Sequence, residues 1–514
     1  MTAASEIAFF GGPIVNSMTP RVLEGLTVKA GKINQIFSNR SALENYAKRN
    51  GCEMINLAGK AIIPGQVDPH TLASFMCQFV HLVSLERVTD SVTTLTRIRQ
   101  AAAKAQALNE PYVRLVGWNN GTLPLTSQKL DEILPSLPVI IYNASFHGAV
   151  FNTAAVSKLQ ADGFAMTTLS TDGHLTGSEF ETILDKMRPE PVNFARSLMA
   201  YQDRMLSLGI TTAHDLLVQY ADQMRVFEAL GNGGQLKLNW RLVTTNPDLL
   251  GFIPTLKNAG VDLLGVKLFL DGAYGMQTAW QDADHAYPDG STGSAKLSIE
   301  QIVEIGKKVT NMGGSHLVVH CIGYQACKAM VEAARQLRES VYTRDLVIRA
   351  AHFETCDETM LGEAEKLGMF IHMQPAFSQD VTTYADILPN PQQVNPLAYA
   401  ARIMKEHFSL GSDSMPLGLL PTAKLALYPP MPHQKPAESF GLLLPTLTKH
   451  SARITSEHNH LGVFKAGADA DFVVLSTIPR SEADFDTVKV LETWVSGRKV
   501  WEYEAADIQA AASR

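Results

Sequence analysis

Residues 61–75 read AIIPGQVDPHTLASF. Ala61, Ile62 and Ile63 make a short buried strand, and Pro64-Gly65 breaks it. The chain then delivers Asp68, Pro69 and His70 to a second strand end. A histidine at such a place is a candidate metal ligand. In an extended chain, alternate side chains share a face, so a partner ligand belongs two residues on. That position is Leu72, which offers no donor. The stretch therefore poses three alternatives: a metal site, a metal site with one ligand lost, or no site.

Outward from this point the chain changes character. Before it, EIAFFGGPIV, GLTVKAGKINQIF and CEMINLAGKAIIPG read as short strands separated by Gly and Asn turns. Near the other end, GVFKAGADADFVVLS and VKVLETWVSGRKVWEYE read the same way. The expectation is one small β-sandwich built from both termini, residues 1–60 with 456–514. Between them, residues 61–455 alternate strand-like runs (YVRLVGW, VIIYNA, GITTAHD, VDLLGVKLFLDG, SHLVVHC, LVIRAAHFE, GMFIHMQ, FSLGSDS) with helix-like segments. Alternation of this kind argues for parallel βα units, either a doubly wound sheet or a closed (β/α)8 barrel. No GxGxxG follows the first strand and no GxxxxGK[ST] occurs, so neither dinucleotide nor P-loop chemistry is signalled.

Composition narrows the function classes. Hydrophobic residues are 46% and charged residues 18% of 514, which is a globular balance. The net charge of -7 speaks against a nucleic-acid partner. Five cysteines without a CxxC pair suggest a reducing compartment rather than a disulfide framework. No apolar run approaches the ~18 residues of a membrane span, and the first residues lack a basic signal-peptide region. A cytoplasmic location with a small-molecule substrate is expected, with no nucleic acid and no membrane. A homodimer is left open.

In a barrel, functional side chains lie at the C-terminal ends of strands. Those ends carry His70, Lys267, His320, His352 and Asp413. Each has an ordinary alternative: a structural histidine, a lysine paired with Asp271, an aspartate capping a helix. The order His, Lys, His, His, Asp, each closing its own strand, is harder to assign to packing.

These blocks resemble the amidohydrolase superfamily, and within it the YtcJ-like and N-substituted formamide deformylase-like branch of amidohydrolase family 3. IIPGQVDPHT (62–71) is similar to the strand-one signature PG-hydrophobic-D-x-H-x-H. The run from LVGW (115–118) to NASFHGAVFN (143–152), with His147 and Asn152, resembles a further block. So do GHLTGSEFE, LGITTAHD, VKLFLDGAYGMQTA, VVHCIGYQA, FSLGSDSMP and LGVFKAGADADFVVL. The resemblance implies a distorted (β/α)8 barrel with a composite sandwich. It also implies one or two metals held by His70, Lys267 as a carbamate, His320, His352 and Asp413. Leu72 stands where the family has its second histidine, and Tyr324 where it usually has aspartate.

Ligand counting then favours one zinc, or another divalent ion, on Lys267, His320 and His352, because a catalytic zinc needs three protein donors and a water. Asp413 is the candidate general base, and His147 the candidate for binding the scissile carbonyl or a substrate carboxylate. Tyr274, Trp280 and Tyr324, with Met276, Met373 and Phe377, would line the mouth and suit an apolar or aromatic substrate. The expected activity is hydrolysis of an amide or N-formyl-like C–N bond. The alternatives are a lyase, decarboxylase or isomerase on the same scaffold, with one metal or none, and a non-catalytic binding protein.

Overall fold

The computed structural model describes residues 6–18, 22–86, 88–119, 123–144, 146, 148–388 and 390–504. Pro64-Gly65 is a junction between two sheets. Ala61–Pro64 belongs to the sheet of the chain ends, and Gln66–Thr71 opens the barrel. Only glycine fits at 65, since a Cβ there would stand 2.3 Å from the Thr211 side chain.

The barrel strands are β1 (Gln66–Thr71), β2 (Ile210–Val218), β3 (Asn239–Thr244), β4 (Asp262–Phe269), β5 (His316–Cys321), β6 (Val347–His352), β7 (Phe370–Met373) and β8 (Phe408–Leu410). They form one parallel sheet in chain order. Beyond β8, the Asp413 N–H donates to the His70 carbonyl at 2.8 Å, and the Ser412 N–H to the Asp68 carboxylate at 3.2 Å. These two bonds draw the last strand end onto the first. Register places Lys267 beside Val318 and Val318 beside Arg349. The expected TIM-like α/β barrel is therefore present.

The two chain ends meet in one sheet of eight strands. Phe472–Leu475 lies between Ala61–Pro64 and Val490–Val495, and Ile7–Val15 follows on the other side. Its core holds Phe9, Ile14, Leu26, Ile62, Phe472 and Trp494. The Trp494 ring stacks on Phe472 at 5.2 Å and meets Phe9 edge-on at 5.4 Å.

The chain divides into two compact units. One takes the described residues of 1–75 and 198–503; the other takes those of 76–197, with 504. The second has its own five-stranded sheet, in the order 174–176, 148–151, 139–143, 113–118, 83–84. The runs YVRLVGW and VIIYNA, read in sequence with the alternating middle, pair with each other here and are not barrel strands. Their period matched because a parallel strand covered by a helix has the same pattern in any sheet. Asn152 is structural in this unit. Its Oδ1 accepts from the Val139 and Ala155 amides at 2.8 and 2.9 Å, and its Nδ2 donates to the Leu134 and Leu137 carbonyls at 3.0 and 2.9 Å.

Candidate metal centre

Three buried donors meet at the ends of β1, β6 and β8. Their ligand atoms, from His70, His352 and Asp413, all lie within 4.8 Å of one another. His70 Nε2 stands 3.1 Å from Asp413 Oδ1. The barrel strands run extended up to these ends, and then the backbone turns sharply. His352 has φ +70° and Asp413 φ +51°. Non-glycine residues rarely take such values, and where they do the surroundings must hold them.

Gln374, just beyond β7, ties the two imidazoles together. Its Oε1 accepts from His352 Nδ1 at 2.6 Å, and its Nε2 donates to His70 Nδ1 at 3.1 Å. One amide has one acceptor end and one donor end. The orientation of this amide and the tautomers of the two rings are therefore set together. The Phe377 ring stacks on His352 at 5.2 Å. Burial lowers the His70 imidazole pKa to about 4 and that of His352 well below its usual value. Both rings are therefore neutral at pH 7, the form that binds metals.

Lys267 lies on β4 within the barrel, 3% exposed, and its Nζ has no hydrogen-bond partner among the described residues. Burial lowers the ammonium pKa to about 7, against the opposing pull of Asp413. The Lys267 charge disfavours protonation of His70, His320 and His352. Asp271 is not its partner. That carboxylate accepts from the Ile322, Gly323 and Trp280 amides at 3.0, 2.8 and 2.9 Å. An orphaned buried amine beside metal-binding groups fits a lysine that carries a carboxylate when carbamylated.

His320 ends differently from the sequence expectation. Its Nε2 meets the Gly272 carbonyl at 2.9 Å and lies 3.6 Å from Asp271 Oδ1. The compact group of imidazole and carboxylate donors is thus His70, His352 and Asp413, without His320, whereas counting along the sequence favoured Lys267, His320 and His352. The difference comes from the loop after β4, whose carbonyl draws the His320 nitrogen to itself. The His320 ring still packs 4.5 Å from His352. Leu72 lies past the end of β1, half-buried, with its N–H donating to Ser414 Oγ at 3.0 Å. Asp68, the other polar residue of this stretch, is fully buried. Its Oδ1 takes the His70 and Ser412 amides and so fastens the barrel seam.

The aromatic candidates separate. Trp280 is half-buried and lines a cavity of about 500 Å³ with Lys296, Leu297 and Glu300. Tyr324 stacks on His285 at 4.0 Å and donates to Asp357 at 2.9 Å, so both its ring and its hydroxyl are engaged. Tyr274 does not line an open mouth. It is 1% exposed, enclosed by Tyr287, Ile322, Val381, Leu388 and Val394, apolar neighbours that draw it inward. His147 lies outside the described residues.

Sequence reasoning missed Gln374 and Arg349. Arg349 on β6 is fully buried; its Nη2 donates to the Pro69 carbonyl at 2.5 Å and its Nη1 to His214 Nδ1 at 3.2 Å. It holds the strand that carries His70. A charged residue inside the apolar run LVIRAAH was the available signal for Arg349, as was the HMQ sequence for Gln374.

The fold has counterparts among known proteins. An uncharacterized metal-dependent hydrolase from Pyrococcus furiosus superposes with a TM-score of 0.74 at 21% identity, over 93% of this chain and 99% of that one. Protein LONG AFTER FAR-RED 3 of Arabidopsis thaliana is 24% identical over 569 residues, 95% of each chain. The exoenzymes regulatory protein AepA of Pectobacterium carotovorum subsp. carotovorum is 24% identical over 338 residues, 60% of this chain and 71% of that one. The sequence pattern of the amidohydrolase family matches residues 53–501. The chain belongs to the amidohydrolase family.

Proposed function

We propose that the protein is a metal-dependent hydrolase that cleaves a C–N bond, amide or N-formyl-like, in a small apolar or aromatic substrate. The observation that carries this reading is the group His70, His352 and Asp413, three buried donors within 4.8 Å at the C-terminal end of a parallel barrel. The Pyrococcus furiosus protein that shares the fold, a metal-dependent hydrolase, supports the same reading. One zinc would suit two neutral imidazoles and a carboxylate. Lys267 as a carbamate would add a fourth donor from β4, and His320 stands beside it. An ion held there supplies a hydroxide near neutral pH and polarises the scissile carbonyl.

The protein's own groups do the rest. Asp413 Oδ1, beside His70 Nε2, takes a proton from the attacking water and passes it to the leaving nitrogen. His352 is held in place from behind by Gln374 and from the side by Phe377. Trp280 offers an aromatic wall for the part of the substrate that does not react, and His147 remains the candidate for the substrate carbonyl or carboxylate.

The test joins metal analysis to a panel of N-formyl and N-acyl aromatic amines. The expected result is about one zinc per chain and turnover of at least one compound that Asp413→Asn slows by ~10²-fold or more. A protein that takes up no divalent metal, or that turns over the panel equally well after chelation, would sink the proposal.

A further inference from the structure

Every barrel strand but one ends on a buried residue. The exception is β4, whose last residue, Phe269, is 37% exposed between the buried Leu268 and Leu270. Side chains two apart on a strand share a face. Phe269 therefore stands on the face of Lys267, one step nearer the C-terminal end of the barrel. The distances agree: Lys267 Nζ lies 5.5 Å from the centre of the Phe269 ring. Sheet register sets Phe269 beside His320, and the two rings are 5.4 Å apart at 42°. The backbone is held here, because the Leu270 N–H donates to the His320 carbonyl at 3.0 Å.

His320 is also the more open side of the centre. Its side chain is 13% exposed, against 2% for His70 and 9% for Asp413. From Phe269 a row of rings runs inward: His320 to His352 at 4.5 Å, then His352 to Phe377 at 5.2 Å. Phe269 is the exposed end of that row, and Phe377 is half-buried. On most of a protein surface a single exposed phenylalanine means nothing. This one touches an imidazole of the candidate centre and leaves apolar area in water that a ligand would cover favourably. An alkyl group would cover it too. An aromatic ring would in addition stack edge-on or offset, as the rings of the row already do.

We propose that Phe269 is a specificity-determining residue of this hydrolase, and that it selects substrates with an aromatic ring next to the scissile amide. The inference rests on the hydrolase reading for its reaction and on the row of rings for its geometry. With the substrate ring on Phe269, the amide is left over His320 and His352. The exposed strand end thus separates aromatic from merely apolar substrates.

The test uses a matched pair, N-benzylformamide and N-(cyclohexylmethyl)formamide. Both release an alkylamine and both carry a six-membered carbon ring, but only the first has a π face. The full-length parent, Phe269→Leu and Phe269→Tyr, each equilibrated with zinc, are compared on both compounds. The readout is kcat/KM where a compound is cleaved, and Kd by calorimetry where it is not. The parent should prefer the benzyl compound. Phe269→Leu keeps apolar bulk but should shrink that preference by about 3–10-fold, chiefly through KM, and Phe269→Tyr should keep it. Zinc content should be equal in all three. A preference unchanged in Phe269→Leu would overturn the proposal, and so would a parent that shows no preference or binds neither compound. A ring preference seen in Kd without any cleavage would support the role of Phe269 and count against the hydrolase reading alone.

Discussion

Gln374 bonds one nitrogen of each imidazole, so it controls which nitrogen each ring leaves for a ligand. A Gln374→Leu protein should fold but lose this control. Removing such a supporting hydrogen bond typically weakens metal binding by ~10–100-fold, and competition with a chromogenic chelator would read it. An unchanged zinc affinity would show that the side chain only packs. Lys267 poses a different question at the same scale. Its unpartnered Nζ predicts that Lys267→Ala strips the metal, and that short carboxylic acids restore part of the activity by standing in for a carbamate. If Lys267→Ala keeps its metal, the lysine is not a ligand. Leu72 gives a third handle. If it stands where a ligand was replaced, Leu72→His should raise the metal content from about one towards two, since a further imidazole helps close a second site. A parent protein that already holds two metals would show that the ligand count is wrong.

At the scale of elements, the strands bring polar groups inside the barrel and must hold them neutral. His316 opens β5, with Nδ1 on Ser315 Oγ at 2.8 Å and Nε2 on the Ile454 carbonyl at 3.1 Å. Burial, and secondly the Arg349 charge, lower its pKa to about 3. The unfolded chain binds that proton near pH 6.5. The folded value is the lower one, so the stabilising contribution is full above the unfolded pKa and is lost as pH falls from about 6.5 towards 3. Between pH 7 and pH 5 the advantage of the parent over His316→Gln should shrink by about 2 kcal/mol, measured by urea unfolding at the two values. A pH-independent difference would show that His316 takes up its proton in the fold as readily as in the unfolded chain. Strand ends were also the legible part of the sequence. His70, His352 and Asp413 could be named from it because each closes an apolar run. The His320 nitrogen could not be followed, because its direction depends on the Gly272 carbonyl in a loop that has no periodic pattern. Nor could the separate sheet of 83–176, whose strands share the period of the barrel strands.

At the scale of the whole molecule, the composite sheet was readable because alternating strands at both ends have nothing else to pair with. Its consequence is that the chain cannot complete that sheet until its last 50 or so residues exist. Phe472–Leu475 is a central strand there, with exposures of 0, 0, 2 and 0%. Asp471, just before it, accepts from Ser496 N at 2.6 Å and from Asn239 Nδ2, on β3 of the barrel, at 2.7 Å. The C-terminal strands therefore serve both the sheet and the barrel that carries the site. Each large apolar side chain uncovered by their loss costs roughly 1.5–3 kcal/mol, and a typical domain has only about 5–15 kcal/mol in all. Losing Phe472, Val474, Leu475 and Trp494, and uncovering Ile62 and Ile63 beside them, would exhaust that margin. A chain ending at residue 461 should therefore accumulate as insoluble protein. Any soluble fraction should show no cooperative thermal transition by circular dichroism and no retained zinc. Supplying residues 462–514 as a separate peptide during refolding should restore part of both, because its strand pairs with Ala61–Pro64 by backbone hydrogen bonds as the sheet forms. A truncated chain with the parent's Tm and metal content would mean that the barrel stands alone and that the two ends merely decorate it.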